Sequence, residues 1–167
     1  MHLYIVRHAW AGQHGDPAYP DDRLRPLTID GRKRFRQVIK KLLKRSFDPI
    51  HIATSPLVRC RQTADVIAEL SPRKPEIVEL ADLAPGGDLE PLLAWTRGKS
   101  PAAVAWVGHS PDVEELTAAL LGDARARIRF AKGAVACLEF SDTLAESTLA
   151  AGQGELLWLT TAAMLGV

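Results

Sequence analysis

Short runs of apolar residues alternate along the chain with stretches in which apolar residues recur every three or four positions. Such runs predict buried strands, and the recurrences predict amphipathic helices. The predicted strands cover residues 3–6, 50–53, 77–80, 102–107, 134–140 and 155–160. The predicted helices cover residues 29–45, the stretch from the turn at 54–56 to residue 70, residues 89–96, and the stretch from 110 to about residue 121.

This alternation predicts an α/β fold, a three-layer α/β/α sandwich on a mostly parallel central sheet. The unbroken apolar run at 102–107 is typical of a strand in the middle of such a sheet. Thr28 is predicted to cap the first long helix, and Ser110 the last, with Pro111 in its first turn. Because ligands of such folds bind at the carboxyl ends of the strands, the residues that follow the strands are the first candidates for a site.

Size and composition indicate one domain over residues 1–167, since 167 residues that are 47% hydrophobic can bury a continuous core. The predicted elements use most of the chain and leave little for a large lid subdomain. Cys60 and Cys137 have no C-x-x-C spacing, and the first residues show no basic leader. No stretch approaches the roughly 18 apolar residues of a membrane span. We therefore expect a soluble, cytoplasmic protein with no membrane partner.

The formal net charge is +1, but the charges are unevenly distributed. The first 74 residues contain 15 Lys and Arg against 7 Asp and Glu, and eight of these cations lie in the predicted helix 29–45. Such a helix could bind nucleic acid, dock an acidic protein partner or simply present a solvated face. We favour the solvated face and expect no nucleic-acid partner, because the near-neutral total is unlike that of a dedicated nucleic-acid protein.

Two cations and two imidazoles lie where predicted strands end. Arg7 and His8 follow the first strand, Arg59 lies just past the second, and His109 follows the fourth. Phosphoryl transfer needs positioning and positive charge around the transferred oxygens, and guanidinium groups bind phosphate bidentately at any working pH. A neutral imidazole can attack phosphorus through one ring nitrogen while an acceptor holds the proton of the other. These residues predict a phosphate site with His8 as the nucleophile.

Three segments resemble the motifs of a known family. Residues 3–9 resemble the Arg-His-Gly signature of the histidine phosphatase superfamily, whose fold is phosphoglycerate mutase-like. Residues 55–64 resemble its second phosphate-binding segment, and residues 107–110 resemble its later Gly-His. Residues 25–28 and 85–88 are most similar to those of the SixA-like phosphohistidine phosphatases. The resemblance implies that His8 becomes phosphorylated and that Arg7, Arg59 and His109 surround the phosphate.

The chain departs from the family pattern in two places. Ala9 stands where the family has Gly. No residue clearly matches the carboxylic acid with which larger members protonate the leaving group, and Asp88 is the best candidate, although a helix cap is its favoured role. Weak acid catalysis favours phosphohistidine as the substrate, since an alkoxide leaving group needs a general acid whereas an imidazole leaves more easily.

Further candidates for substrate contact are Arg25, Ser110 and Asp88. Arg25 follows the first motif and is predicted either to join the phosphate shell or to bridge to Asp21 or Asp22. Ser110 is adjacent to His109 and to the start of the last helix. Ser55 is predicted to cap the second helix, with a phosphate contact as the alternative.

We expect no metal and no cofactor. The other histidines, at positions 2, 14 and 51, have no ligand spacing with His8 or His109, and no H-E-x-x-H motif is present. The sequence therefore predicts a metal-independent phosphatase that works through a phosphohistidine intermediate on a phosphorelay-type protein carrying phosphohistidine. The alternatives are a phosphatase of small phosphate esters on the same scaffold and a non-catalytic module that binds a phosphorylated ligand.

Overall fold

A mixed β-sheet organises the molecule. The computed structural model describes residues 1–99, 102–141 and 149–167. Its described strands are β1 (His2–Arg7), β2 (His51–Thr54), β3 (Glu76–Glu79), β4 (Val104–Gly108), β5 (Val135–Glu139) and β6 (Glu155–Thr160). They lie in the order β3-β2-β4-β1-β5-β6, with β1 to β4 parallel to one another and β5 antiparallel to both its neighbours. The predicted, mostly parallel sheet is confirmed.

Helices cover both faces of this sheet. The described helices are α1 (Ile29–Leu42), α2 (Val58–Leu70), α3 (Leu89–Arg97) and α4 (Asp112–Leu120). Because successive strand side chains point to opposite faces, Tyr4 and Val6 pack in a buried cluster with α1 and α2, whereas Leu3 and Ile5 pack with α3 and α4. The three-layer prediction is confirmed, with no large lid subdomain among the described residues. None of the described helices is long and apolar enough to cross a membrane.

Element boundaries differ from the sequence predictions by a few residues. The central strand begins at Val104 rather than at residue 102 and continues to Gly108. The first helix ends at Leu42, and a 3-10 turn (Leu43–Arg45) completes the predicted stretch. Such shifts arise because hydrogen bonding decides where an element ends, whereas an apolar pattern reports only which residues are buried.

Of the predicted helix caps, Thr28 is confirmed, whereas Ser55 and Ser110 are wrong. α2 begins at Val58 with no side-chain cap, and Ser55 Oγ instead accepts the Leu57 N–H at 3.3 Å. The Thr28 hydroxyl oxygen accepts the Gly31 N–H at 2.9 Å and so caps α1. α4 begins at Asp112, so its N-cap position is Pro111, which has no side-chain oxygen; the Ser110 hydroxyl, one residue earlier, donates to the Glu114 carboxylate at 2.8 Å. A hydrogen bond to a charged acceptor is stronger than a bond to a neutral one, and Glu114 is brought into reach only when the helix has formed.

Candidate active site

The register between β1 and β4 brings the two candidate imidazoles together. These parallel strands pair Arg7 with Gly108 at their carboxyl ends. The next residues, His8 and His109, therefore leave the sheet side by side, and the His8 N–H donates to the Gly108 carbonyl at 2.9 Å. The ring centroids are 5.3 Å apart, with an angle of 60° between the ring planes. Two histidines that are distant in sequence thus become neighbours.

The adjacent strand β2 delivers a cation to the same edge. The Ser55 N–H, just beyond β2, donates to the Val107 carbonyl of β4 at 2.9 Å. Arg59 then lies in the first turn of α2, with only 5% of its surface exposed. Both Arg59 and Arg7 are close enough for their charges to act on the His8 ring. The edge of the sheet therefore collects all four sequence candidates.

His8 is held in one tautomer. It is 8% exposed, and its Nδ1 lies 2.7 Å from the Ala9 carbonyl oxygen. A carbonyl oxygen can only accept, so Nδ1 carries the proton of the neutral ring and Nε2 keeps its lone pair. Burial is the largest cause that lowers the pKa of His8 to about 3, and the neighbouring cationic groups lower it further. The ring is neutral at neutral pH, as a nucleophile must be.

Helix α2 supports the backbone that sets this tautomer. The Ala9 N–H donates to the Thr63 hydroxyl oxygen at 3.1 Å, and the Thr63 hydroxyl donates to the Arg59 carbonyl at 2.7 Å. Ala9 itself is completely buried, so its methyl group is accommodated where the family has Gly. The Thr63 contact therefore links the segment that carries His8 to the helix that carries Arg59.

A hydroxyl and a thiol contact the Nε2 atom of His109. Its Nε2 lies 2.9 Å from Ser55 Oγ and 3.3 Å from Cys60 Sγ. Burial lowers the pKa of His109 to about 4 and raises the pKa of the Cys60 thiol to about 12, so both groups are neutral at neutral pH. When Ser55 donates to Nε2, the ring proton resides on Nδ1, where it can be donated to a phosphoryl oxygen.

Backbone carbonyls orient the two guanidinium groups. Arg7 Nη1 donates to the Phe130 carbonyl at 2.6 Å, and Arg59 Nη1 donates to the Asp22 carbonyl at 2.8 Å. The Nε–H group of each arginine is buried without a hydrogen-bond partner among the residues that the structure describes. Buried guanidinium donors that are not fully satisfied by the protein favour an oxyanion as their additional partner. The two arginines thus form a cradle suited to a phosphoryl group.

Asp22 ties the loop before α1 to this cradle. Its carboxylate accepts from Arg25 Nε at 2.7 Å and lies 3.1 Å from Arg59 Nη1 and 3.0 Å from His14 Nδ1. The hydrogen bond from Arg25 is the largest of the effects that hold the pKa of Asp22 well below its usual range. Arg25 also donates to the Gly12 carbonyl at 2.6 Å. The structure therefore contains the bridge to Asp22, and a contact of Arg25 with phosphate stays a prediction.

Asp88 lies at the start of α3. It is exposed, and its carboxylate accepts the Glu90 N–H at 3.3 Å, which makes it the N-cap residue of that helix. The Gly-rich turn before it is anchored to α4, since the Gly86 N–H donates to the Asp112 carboxylate at 2.7 Å. A role for Asp88 in substrate binding or proton transfer stays a prediction.

Glu114 is a site residue that the sequence analysis missed, because a single acid on a helix carries no motif. Its Oε1 accepts both from the Ser110 hydroxyl and from the Phe130 N–H, at 2.8 and 3.2 Å. It thereby connects the segment after His109 to the residue whose carbonyl holds Arg7. The Ser110 hydroxyl is engaged by this carboxylate, and its contact with substrate stays a prediction.

Each of the remaining histidines contacts an acidic side chain: His2 and His51 at 3.5 and 3.9 Å, and His14 at 3.0 Å from Asp22 beside the cradle. Within residues 1–99, 102–141 and 149–167, no group of three or more His, Cys, Asp or Glu side chains is placed to hold a metal ion. Independence of metal and of cofactors stays a prediction.

The buried rings should resist protonation. We expect His8 and His109 to remain neutral at pH 5, because burial places their pKa values at about 3 and about 4. Between the usual histidine pKa of 6.5 and these values the unfolded chain binds more protons than the folded protein, so stability should fall as the pH is lowered through this window. Ring nitrogen-15 NMR shifts would show this directly, and a ring that titrates near 6.5 would contradict it.

Ser55 should act as a positioning residue for His109. Ser55→Ala removes the hydroxyl next to Nε2 and should lower kcat about tenfold, which corresponds to about 1.4 kcal/mol, the net value of one good hydrogen bond. KM should change little, and the nitrogen-15 shifts of His109 should report a mixed tautomer. Ser71→Ala, at the other end of α2 and equally buried, is the matched control and should leave both readouts unchanged.

The fold and the cradle together define a class, an α/β protein with two neutral imidazoles and two guanidinium groups at the carboxyl edge of its sheet. Comparison with family models then gives the family: the model described as histidine phosphatase superfamily (branch 1) matches residues 3–145. The chain belongs to the histidine phosphatase superfamily. This confirms the resemblance of the sequence motifs, and membership supports phosphatase activity.

Similar proteins include one sequence relative and several solved structures. An uncharacterized protein of Picosynechococcus sp. (strain PCC 7002) is 38% identical over 125 residues, which cover 72% of this chain and 73% of the relative. The structure of the protein histidine phosphatase SixA complexed with tungstate has a TM-score of 0.82 at 24% identity and covers 99% of both chains. The α-ribazole phosphatase from Shigella flexneri has a TM-score of 0.64 at 16% identity, covering 92% of this chain and 96% of that one. At these identities the solved structures show a shared fold.

Proposed function

We propose that the protein hydrolyses phosphohistidine in a partner protein through a phosphorylated His8. The observation that carries this proposal is the 2.7 Å hydrogen bond between His8 Nδ1 and the Ala9 carbonyl. In a buried, neutral ring this bond leaves the Nε2 lone pair available for attack on phosphorus. Arg7, Arg59 and His109 would stabilise the negative charge on the equatorial oxygens of the transition state.

Hydrolysis then proceeds in two displacements. His8 Nε2 attacks phosphorus, the phosphorus–nitrogen bond to the substrate imidazole breaks, and that nitrogen keeps the electron pair and takes a proton from solvent. In the second step a water molecule attacks phosphorus, the bond to Nε2 breaks, and inorganic phosphate is released with a proton to solvent. The proton stays on His8 Nδ1, which donates to the Ala9 carbonyl oxygen in the free and in the phosphorylated enzyme.

The placement of the acidic residues supports phosphohistidine as the substrate. Asp22 is held ionised by the hydrogen bond from Arg25, so it is poorly suited to give a proton to a leaving group. Asp88 is exposed and caps α3. An ester needs a general acid to expel its alkoxide, whereas the imidazole of phosphohistidine does not depend on one. The rim also carries no large lid subdomain among the described residues, which favours a protein-borne phosphoryl group over a small, enclosed metabolite.

Hydrolysis of small phosphate esters is the alternative within the same chemistry, and the shared fold of the α-ribazole phosphatase supports it. A non-catalytic binding module is less favoured, because phosphate binding does not need an imidazole with a free Nε2. Under either alternative the cradle of Arg7, Arg59 and His109 would still bind an oxyanion. Turnover of two kinds of substrate therefore distinguishes the three functions.

A phosphohistidine peptide should be hydrolysed about 100-fold more efficiently in kcat/KM than p-nitrophenyl phosphate or a sugar phosphate. Asp88→Asn should change either rate less than about threefold, since Asn also caps helices well. A large loss of ester hydrolysis in Asp88→Asn would identify Asp88 as the acid of an esterase. A wild-type protein that binds tungstate and hydrolyses none of these substrates would be a binding module.

A further inference from the structure

A cationic strip leads from the C-terminal end of α4 to the candidate active site. Six Lys and Arg residues follow position 74, and four of them lie within eight consecutive residues: Arg125, Arg127, Arg129 and Lys132. All four are exposed. Within the described part of the chain none of them forms an ion pair, in contrast to the many paired arginines of the first half. This half of the molecule is otherwise acidic, so the strip is a local concentration of uncompensated positive charge.

Backbone hydrogen bonds join the strip to the nucleophile. The Phe130 carbonyl, inside the strip, accepts from Arg7 Nη1 at 2.6 Å. Just past the strip, the Gly133 N–H donates to the His8 carbonyl at 3.1 Å. Arg125 lies near the C-terminal end of α4, and the two cations nearest Phe130, Arg129 and Lys132, flank the segment that presents Arg7 and His8. A molecule that places a phosphoryl group in the cradle would lie against them.

The basic helix α1 is a weaker candidate for docking an acidic partner, although the sequence suggested it. Arg32 and Arg36 both donate to the Glu69 carboxylate, and Arg34 stacks over the Trp10 ring at 4.4 Å. These charges are used to hold α1 against α2 and the loop that follows β1. The cations of the strip have no such contacts and remain available.

We infer that the strip docks an acidic segment of the substrate protein, so that carboxylates flanking the phosphorylated residue contact the strip while the phosphoryl group enters the cradle. Opposite charges steer two proteins together and fix their orientation, and the guanidinium fork matches the geometry of a carboxylate. The inference rests on the proposed function, because only a protein substrate brings flanking residues to the rim.

Composition favours an acidic protein over a nucleic acid as the occupant. Single-stranded nucleic acids are bound by cationic grooves in which aromatic rings stack on the bases. The aromatic residue within the strip, Phe130, is only 1% exposed and packs in the core on the α3 and α4 face. The strip thus offers charge without a stacking platform, which suits carboxylates.

The test uses two peptides that carry one phosphohistidine each and differ only in their neighbours, four Glu in one and four Gln in the other. Wild type should prefer the Glu peptide about tenfold in kcat/KM at low salt, and 0.5 M NaCl should largely remove the preference. The triple variant Arg125→Gln, Arg127→Gln, Arg129→Gln should lose the preference but hydrolyse the Gln peptide at the wild-type rate. The control is a second triple variant that removes three exposed cations of α1 and its following turn: Lys40→Gln, Lys44→Gln, Arg45→Gln. This control should keep the preference for the Glu peptide.

Two results would overturn the inference: a wild type with no preference, or a preference that survives in the triple variant. Binding of the unphosphorylated, fluorescent Glu peptide, followed by anisotropy, tests the strip independently of hydrolysis. If wild type hydrolyses only small esters, the proposed substrate is wrong. The strip would still be supported as a docking surface if the triple variant lost Glu-peptide binding and the α1 control variant kept it. Tighter binding of an oligothymidylate than of the Glu peptide, lost in the same variant, would assign the strip to nucleic acid instead.

Discussion

Replacing His8 by alanine should lower kcat by at least about 10⁴-fold, the scale of loss seen when a covalent nucleophile is removed. Under the proposed function the His8 ring supplies the Nε2 lone pair that attacks phosphorus, so the variant should have no route through a phosphorylated enzyme. Arg7, Arg59 and His109 should still bind an oxyanion in this variant. Binding of tungstate, measured by calorimetry, should therefore persist while turnover is lost.

Trapping identifies the phosphorylated residue. Wild type quenched during turnover of a labelled substrate should carry an acid-labile, alkali-stable phosphoryl group on a peptide that contains residue 8, and His8→Ala should carry none. His2→Ala, which removes a half-exposed imidazole near the start of β1, is the control and should be labelled like wild type. A folded His8→Ala protein with wild-type turnover would end the proposal.

Replacing Arg59 by alanine should lower kcat by about 100-fold to 1,000-fold, the range for loss of a preoriented transition-state donor. The guanidinium is almost fully buried and is held by the Asp22 carbonyl at 2.8 Å, so its position costs little reorganisation during the reaction. Arg61→Ala is the matched control two positions later on α2. That side chain is 44% exposed and pairs with Asp65 and Glu79, and its loss should change kcat less than about twofold, because exposed ion pairs contribute little.

A second substitution separates chemistry from structure at this position. Arg59→Lys keeps the charge but loses the fork, so it should still cost about tenfold or more in kcat. Its thermal stability should remain close to that of wild type if Arg59 acts mainly on the phosphoryl group. If Arg59→Lys instead loses thermal stability in proportion to its loss of kcat, then Arg59 has a structural role through its contacts with Asp22.

The residues that meet at the carboxyl edge of the sheet could be predicted, because the patterns that place them there are local. Arg7, His8 and His109 follow runs that are apolar enough to be buried strands, and parallel strands end at one edge. The register confirms this in detail, since Arg7 pairs with Gly108. The Thr28 cap was predictable for the same reason, because its partner lies three residues away in the same helix.

The failures concern partners from other segments. Ser110 was expected to cap α4, yet its hydroxyl donates to Glu114 one turn into that helix, where Phe130 also contributes. Cys60 carried no prediction of a role at the site, yet its thiol lies 3.3 Å from His109 Nε2. The contacts of Glu114 with Phe130 and of Cys60 with His109 have no signal in the local sequence, since they join residues 16 and 49 positions apart.

By itself, the sequence determined the order of strands and helices, the family, and the kinds of groups that meet at the sheet edge, because periodicity and chemical type are local properties. Only the tertiary structure decided which nitrogen of His8 is free, that both rings are neutral, that Arg25 bridges to Asp22, and that the strip carrying Arg129 and Lys132 reaches the segment of His8. Protonation and hydrogen bonding depend on burial and on partners from distant segments, and these exist only once the chain has folded.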